Sequence, residues 1–213
     1  MKTTKLTALL LASALFAGTA TGCLDNTDTS SKAPSPAVSS GNDAGLVEGE
    51  ISTTPIGTIQ LKGNIGDEFN ENDMVFKLNS VIDADYIEDG NKFIFFDITI
   101  KNNTSKAYTL STLNNFYLVL PDGSEEYSSI RTLLYARSTF SDKKYFPDPF
   151  DIPSNGQFSG VIGGFIINKD INDFTVCFFP TGDDPRNKEK VIRIDVAESD
   201  IQKPSSDLLD RKA

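Results

Sequence analysis

The sequence predicts an all-β protein, folded as an antiparallel sandwich or barrel, with the sandwich favoured at this size. Hydrophobic and polar residues alternate with a period of two along several short segments, as in strands that bury one face. β-branched and aromatic residues dominate these segments. Turn residues such as Pro121-Asp122-Gly123 separate them, and no helical pattern alternates with the strands.

The alternation places strands at residues 74–78, 92–100, 108–110, 116–120, 160–167, 174–179 and 191–196. In the second of these, one set of alternate side chains forms the predicted core face, namely Ile94, Phe96, Ile98 and Ile100. Phe93 and Phe95 face the other side of the sheet. There, either a loop covers them or they form an exposed patch.

Composition excludes several classes of function. The chain has 213 residues, a net charge of −10, no histidine and two cysteines. Without histidine, no Ser-His-Asp or Cys-His nucleophile and no His-ligated zinc site can form. Two cysteines are too few for a four-cysteine zinc site or a disulfide scaffold. The acidic balance argues against a nucleic-acid partner, because binding to phosphates needs a basic surface.

The N-terminus, residues 1–22, has the layout of a signal peptide of the lipoprotein type. Lys2 and Lys5 precede an apolar stretch at residues 6–17, which is too short to cross a bilayer core of about 30 Å as a helix. The motif Ala20-Thr21-Gly22-Cys23 resembles a bacterial lipobox, which implies cleavage before Cys23 and attachment of fatty acids to it. The alternative is ordinary secretion, with cleavage after Ala20 and a free thiol at Cys23.

The chain divides into a tether, one domain and a tail. Residues 23–57 are rich in Ser, Thr, Asp, Gly and Pro, with sparse apolar residues, and are predicted to be a disordered linker behind the lipidated N-terminus. Residues 58–198 are predicted to form the β-sandwich. Residues 199–213 mix charges, proline and paired serines, and are predicted to be a disordered tail.

A long connection from Ser128 to Gln157 carries the candidate binding residues. Ile130, Leu133 and Leu134 have the i, i+3, i+4 spacing of a short helix. Prolines then hold several aromatic residues, and binding surfaces favour such constrained rings. The predicted partner-binding residues are Tyr135, Phe140, Tyr145, Phe146 and Phe150. The alternative is that the segment caps one open end of the sandwich and buries these rings.

Other candidate chemistry is weak. The turn that contains Asp83, Asp85, Glu88 and Asp89 could offer oxygens to calcium, but its spacing does not match an EF-hand, and a solvated acidic turn is favoured. No metal site, cofactor or catalytic residue is therefore predicted. Cys177 lies on the face opposite Phe174, Val176 and Phe178 and is expected to be a buried free thiol.

Several motifs resemble those of a bacterial family. They are Gly66-Asp67-Glu68 ahead of a strand, the long strand from Phe93 to Asn103, the motif around Asp122-Gly123, and Pro153-Ser154-Asn155-Gly156 before a Gly/Phe/Ile strand. Together they resemble uncharacterised lipoprotein domains grouped with telokin-like, immunoprotective extracellular antigens. The resemblance implies an immunoglobulin-like sandwich, an exported location and no established activity.

The expected function is therefore that of a membrane-anchored extracytoplasmic lipoprotein that acts as a non-enzymatic binding module. Its expected partners are the membrane, through the lipid at Cys23, and a protein or cell-envelope ligand. The alternatives are a cell-envelope hydrolase that uses carboxylates or calcium, and a passive structural component of the envelope.

Overall fold

A computed structural model describes residues 55–210. The predicted signal peptide, the lipidation site at Cys23 and nearly all of the predicted linker lie outside the described residues. The elements in chain order are β1 (Ile59–Gly63), β2 (Glu68–Glu71), β3 (Met74–Glu88), β4 (Asn91–Asn102), β5 (Tyr108–Leu110), α1 (Thr112–Asn115), β6 (Phe116–Val119), β7 (Glu125–Tyr127), α2 (Ile130–Thr139), β8 (Phe150–Ile152), β9 (Gln157–Asn168), β10 (Phe174–Phe178), β11 (Lys190–Val196), a 3₁₀ turn (Glu198–Asp200), β12 (Ile201–Gln202) and α3 (Ser206–Leu209).

Two sheets form the sandwich. Sheet I has the strand order β1-β11-β10-β6-β7, and sheet II has the order β12-β3-β4-β9 with β2 paired to β3. The short strands β5 and β8 form a separate pair. Within the described residues, β1–β11 and β12–β3 are parallel and the other strand pairs are antiparallel. The predicted all-β antiparallel sandwich, with a helix in its long loop, is confirmed.

The main core fills the space between the sheets. The predicted core face of β4 is fully buried there, with Ile94, Phe96, Ile98 and Ile100 all at 0% exposure. Phe178 of sheet I lies against Phe76 of sheet II, with ring centroids 4.3 Å apart. The alternation read from the sequence therefore assigns the inner face correctly, because a strand turns successive side chains to opposite faces.

A second hydrophobic cluster covers the outer face of sheet II. Phe93 and Phe95 are buried there under α2 and the segment that follows it. Ala136 of α2 and Phe140, which directly follows it, are both fully buried in the same cluster. Of the two alternatives for Phe93 and Phe95, the covering loop is thus the one observed.

Two glycines of β9 allow α2 to approach the sheet. Gly163 and Gly164 lie opposite the single residue Phe95 at a β-bulge, and Gly163 has a φ of +93°. A Cβ on Gly164 would lie 2.7 Å from the Phe95 ring and 2.8 Å from Cβ of Thr132 in α2. The Thr132 hydroxyl donates to the Gly164 carbonyl at 3.0 Å. The absence of a side chain at Gly164 therefore sets the depth at which the helix packs.

The same long segment runs along the edge of sheet II, where β9 is the outermost strand. The Phe146 amide donates to the Val161 carbonyl at 2.9 Å, and the Val161 amide donates to the Lys144 carbonyl at 2.8 Å. Phe146 then turns its ring onto Gly160, where a Cβ would lie 2.3 Å from that ring. The segment thus satisfies edge groups of β9 that would otherwise bond to water.

The C-terminal segment is ordered through residue 210, and the prediction of a disordered tail from residue 199 was wrong for this part. Ile201 and Gln202 pair in parallel with Val81 and Ile82 of β3. Leu208, at 2% exposure, packs into the second cluster. One apolar residue at the right position, together with backbone pairing, orders a segment whose composition is polar. Residues 211–213 lie outside the described residues.

Candidate functional site

The structure does not place the five predicted binding rings on a free surface. Phe140 and Tyr145 are buried in the second cluster, and Phe150 is buried in the main core. Tyr135 and Phe146 are half-buried against the two clusters. The prediction that these rings form a contact surface is therefore wrong for Phe140, Tyr145 and Phe150, and Tyr135 and Phe146 use part of each ring for packing inside the molecule.

The hydroxyl groups of the two tyrosines among these rings have hydrogen-bond partners within the protein. The Tyr145 hydroxyl donates to the Gly163 carbonyl at 3.0 Å, and the Tyr135 hydroxyl donates to the Ala84 carbonyl at 3.3 Å. Burial raises the pKa of both phenols. The burial of the rings agrees with the alternative interpretation, but α2 and the residues after it cover the outer face and edge of sheet II, while Phe150 packs into the main core.

The acidic turn does not gather its carboxylates around one point. Asp83 lies 3.9 Å from Lys92, and Asp85 lies 3.0 Å from Lys203. Glu88 and Asp89 both contact Arg131 of α2. Within residues 55–210, no group of three or more acidic or thiol side chains is arranged to hold a metal ion. The carboxylates of this turn serve separate ion pairs.

The outer face of sheet I differs from that of sheet II. On this face, the register of neighbouring strands places one residue from each of the five strands of sheet I side by side in a continuous row. The residues of this row are Lys62, Arg193, Cys177, Tyr117 and Tyr127. The residues of this row alternate with main-core residues and therefore face outward.

A cleft of about 390 Å³ opens on this face. Its wall includes Ile56 and Gly57 from the start of the described chain, Leu113 and Asn114 of α1, and Lys188 from the loop before β11. Its volume lies within the range of about 300–1,000 Å³ that is usual for small-molecule sites. Because β1, β6 and β11 run in the same direction, the segments that precede them meet at one end of sheet I and enclose a pocket over outward-facing side chains.

Aromatic rings line this cleft. Tyr117 stacks on Tyr127 with centroids 6.0 Å apart, and on Phe179 with centroids 5.5 Å apart. Tyr117 and Phe179 are almost fully buried, whereas Tyr127 is 55% exposed. The Lys188 ammonium lies 5.3 Å from the centre of the Phe179 ring, within cation–π distance. The cleft thus combines an apolar floor with one accessible ring.

Titratable groups at this face favour their protonated forms. Burial raises the pKa of the Cys177 thiol to about 11, although Arg193 works in the opposite direction. Burial also raises the pKa of Tyr117, with a further contribution from Cys177. A hydrogen bond to Glu125 raises the pKa of Tyr127. At neutral pH these three groups are therefore neutral, and Cys177 is a buried free thiol as expected.

A second depression, of about 370 Å³, lies beside α2, between Tyr86 and Tyr135. Its arginine, Arg131, is already paired with Glu88 and Asp89. The cations of the sheet I cleft have no such partner among the described residues, so the sheet I cleft is the stronger candidate for a ligand site.

This cleft was not among the sites predicted from the sequence. The signal was present in the alternation itself: Tyr117 faces outward from β6, and Cys177 and Val191 face outward from β10 and β11. Such residues on the supposed solvent face of three strands indicate a surface that is either covered or used. That Tyr117, Cys177 and Val191 lie close together could not be predicted, because the register between strands that are distant in sequence cannot be read from a single sequence.

The fold and the cleft define a two-layer β-sandwich domain with one covered and one open outer sheet face. The chain matches the family model of a domain of unknown function, DUF4352, over residues 63–187. This match covers more than half of the chain, and the protein belongs to that family. No curated protein sequence matches the chain. No helix in residues 55–210 is long and apolar enough to cross a bilayer.

Solved structures with a similar fold include three from bacteria. A candidate lipoprotein of Bacillus subtilis is 14% identical, with a TM-score of 0.43, over 65% of this chain and 40% of that protein. The yjhA protein of Bacillus subtilis is 14% identical, with a TM-score of 0.44, over 64% of this chain and 98% of that one. A secreted protein of Mycobacterium tuberculosis is 14% identical, with a TM-score of 0.41, over 66% and 99% of the two chains.

Proposed function

We propose that the protein is a lipid-anchored extracytoplasmic binding module that holds a ligand in the cleft on the outer face of sheet I. The sequence of residues 1–23 supports the location, because a positive n-region, a short apolar stretch and a lipobox-like motif end at Cys23. The resemblance to telokin-like extracellular antigens, which implies no established activity, supports an exported domain.

The observation that carries the binding role is the contrast between the two outer faces. On sheet II, the rings of Phe93 and Phe95 are covered by α2 and its following segment. On sheet I, Tyr117 and Phe179 form the floor of a cleft that no element within residues 55–210 fills. An open concave surface with a stacked aromatic floor is a typical small-molecule site.

The protonation states support a binding role over a hydrolytic one. A nucleophile or general base works best with a pKa near the operating pH. In this cleft the pKa values of Tyr117 and Tyr127 are raised above their ordinary values, as is the pKa of the fully buried Cys177 beside Tyr117. The neutral phenols of Tyr117 and Tyr127 suit packing and hydrogen bonding to a ligand.

Site-specific photo-crosslinking on intact cells tests the proposal. A photo-reactive amino acid replaces Tyr127 at the cleft, and a matched variant carries it at Lys101, an exposed position on the outer face of β4. We expect a defined envelope component to be captured from position 127 and not from position 101. Equal capture from both positions, or none from position 127, would contradict the proposal.

Two further measurements accompany this test. Mass spectrometry of the mature protein is expected to find Cys23 as the first residue, carrying fatty acids. Incubation with cell-wall fragments is expected to produce no change in the fragments. Release of a product would favour the hydrolase alternative.

A further inference from the structure

We propose that the ligand of the sheet I cleft carries an oxyanion, a carboxylate or a phosphate, joined to a flat apolar group. Arg193 and Lys188 bind the oxyanion, and Tyr127 packs against the flat group. The inference rests on the proposed binding function and specifies the chemistry that the site recognises.

Charge complementarity is the first argument. Arg193 and Lys188 line the cleft, and Lys62 is the cross-strand neighbour of Arg193. Among residues 55–210, none of the three has a carboxylate within 4 Å, whereas six other cations do: Lys92, Lys106, Arg131, Lys169, Lys190 and Lys203. In a chain with a net charge of −10, these three cations on one face form a local positive site.

Two carboxylates of the same face, those of Glu125 and Asp195, form no ion pair within 4 Å with these three cations. Glu125 accepts the hydroxyl hydrogen of Tyr127 at 2.5 Å, and Asp195 accepts that of Thr175 at 2.7 Å. Both acids are therefore held by neutral donors along the β7 and β10 strands. Arg193 and Lys188 line the cleft and form no ion pair within residues 55–210, so their N–H groups are available to a ligand.

The arrangement of donors and rings defines the ligand class. A guanidinium presents a planar pair of N–H groups that matches the two oxygens of a carboxylate or phosphate. Arg193 reaches the cleft from β11, and Tyr127 lines it from β7, with Tyr117 between them in the cross-strand row. A ring that stacks on Tyr127 can therefore direct an attached oxyanion toward Arg193.

Fragment titrations followed by NMR test this inference. The probes are benzoate and phenyl phosphate, with benzamide and phenol as neutral counterparts of similar shape. We expect the anionic probes to bind at least about tenfold more tightly than the neutral ones, as one charge-assisted hydrogen bond would give. The benzoate and phenyl phosphate arms show which oxyanion is preferred.

Substitutions of cleft residues test whether the probes bind in the sheet I cleft. Arg193→Gln is expected to remove the preference for the anionic probes, and Tyr127→Leu to weaken all four probes. Arg137→Gln is the matched control, because Arg137 is an exposed arginine on α2, on the far side of the sandwich. Urea midpoints equal to that of the wild type verify that each variant is folded.

The outcomes separate the inference from the proposed function. Equal affinity for neutral and anionic probes, no binding by any probe, or an unchanged preference in Arg193→Gln would overturn the oxyanion assignment. None of these results affects capture from position 127 on cells. Failure of that capture would instead remove the proposed binding function itself.

Discussion

Leu208→Ala is expected to destabilise the protein although Leu208 lies only two residues from the end of the described chain. Leu208 is 2% exposed and belongs to the cluster on the outer face of sheet II. Its carbonyl accepts a hydrogen bond from the Ser141 amide at 2.7 Å, and its own amide bonds to the Ser205 hydroxyl at 3.2 Å. These bonds fix α3 so that the leucine side chain reaches the cluster.

The magnitude follows from the buried carbons. The substitution removes three buried carbons, which at about 0.8 kcal/mol each amounts to about 2.4 kcal/mol. A short terminal helix can move to fill part of the space, so the additional cost of a cavity is small. We expect a loss of about 2–3 kcal/mol, or a fall of roughly 1–1.5 M in the urea midpoint for an m-value near 2 kcal/mol/M.

The neighbouring residue supplies the control. Leu209 is the same residue type in the same helix but is 46% exposed, so Leu209→Ala is expected to change stability by less than about 0.5 kcal/mol. The assay is urea unfolding of the purified protein, followed by circular dichroism. Equal midpoints for the two variants would refute the reasoning, since they would show that α3 does not dock on the sandwich.

Three other outcomes are expected. Gly164→Ala should lower the free energy of unfolding by about 1–3 kcal/mol, because its Cβ would lie 2.7 Å from Phe95; an unchanged melting temperature would contradict this contact. The pKa of Cys177 is raised from 9.0 to about 11, so the stability it contributes is complete below pH 9 and is lost as pH rises through 11. The urea midpoint should therefore fall over this range, and fall less in Cys177→Val; identical profiles would count against it. Asn102→Ala should cost about 1–3 kcal/mol or more, because its buried amide donates to the Lys106 and Pro153 carbonyls at 2.7 and 3.1 Å. Asn103→Ala, at the exposed next position, should leave the melting temperature unchanged, and an equal effect of both would argue against this role.

Local patterns were sufficient for the sandwich itself. The alternation in β4 assigns Ile94 and Phe96 to one face of the sheet and Phe93 and Phe95 to the other, and the structure buries the two pairs in different clusters on these two faces. The alternation of side chains between two faces is a property of the extended backbone, so it does not depend on which strands β4 pairs with. The same alternation led to the prediction that Phe93 is either covered by a loop or part of an exposed patch.

The rings of the long segment could not be assigned in this way. Tyr145 and Phe146 stand among prolines, which suggested constrained and exposed side chains. What buries them is the sequence of β9, where Gly160 leaves room for the Phe146 ring and the Gly163 carbonyl accepts from Tyr145. These partners are local in space and remote in sequence.

The cleft and the C-terminal segment were missed for a related reason. Lys62 and Arg193 become neighbours only because β1 adds in parallel to β11. Ile201 and Leu208 are sparse apolar residues in a polar segment, and their docking depends on β3 and the second cluster. The composition of a segment indicates how much apolar surface the segment itself contains. It does not indicate whether another part of the fold offers a surface on which the segment can pack.

The covering of the β9 edge affects how the molecule behaves when many copies are crowded together. An uncovered strand of 12 residues would present a row of donors and acceptors on which a second molecule could add its own strand. The Lys144 carbonyl and the Phe146 amide already occupy the groups of Val161 in that row. Addition of a second molecule's strand at this part of β9, the longest edge strand of residues 55–210, would first have to displace these two hydrogen bonds.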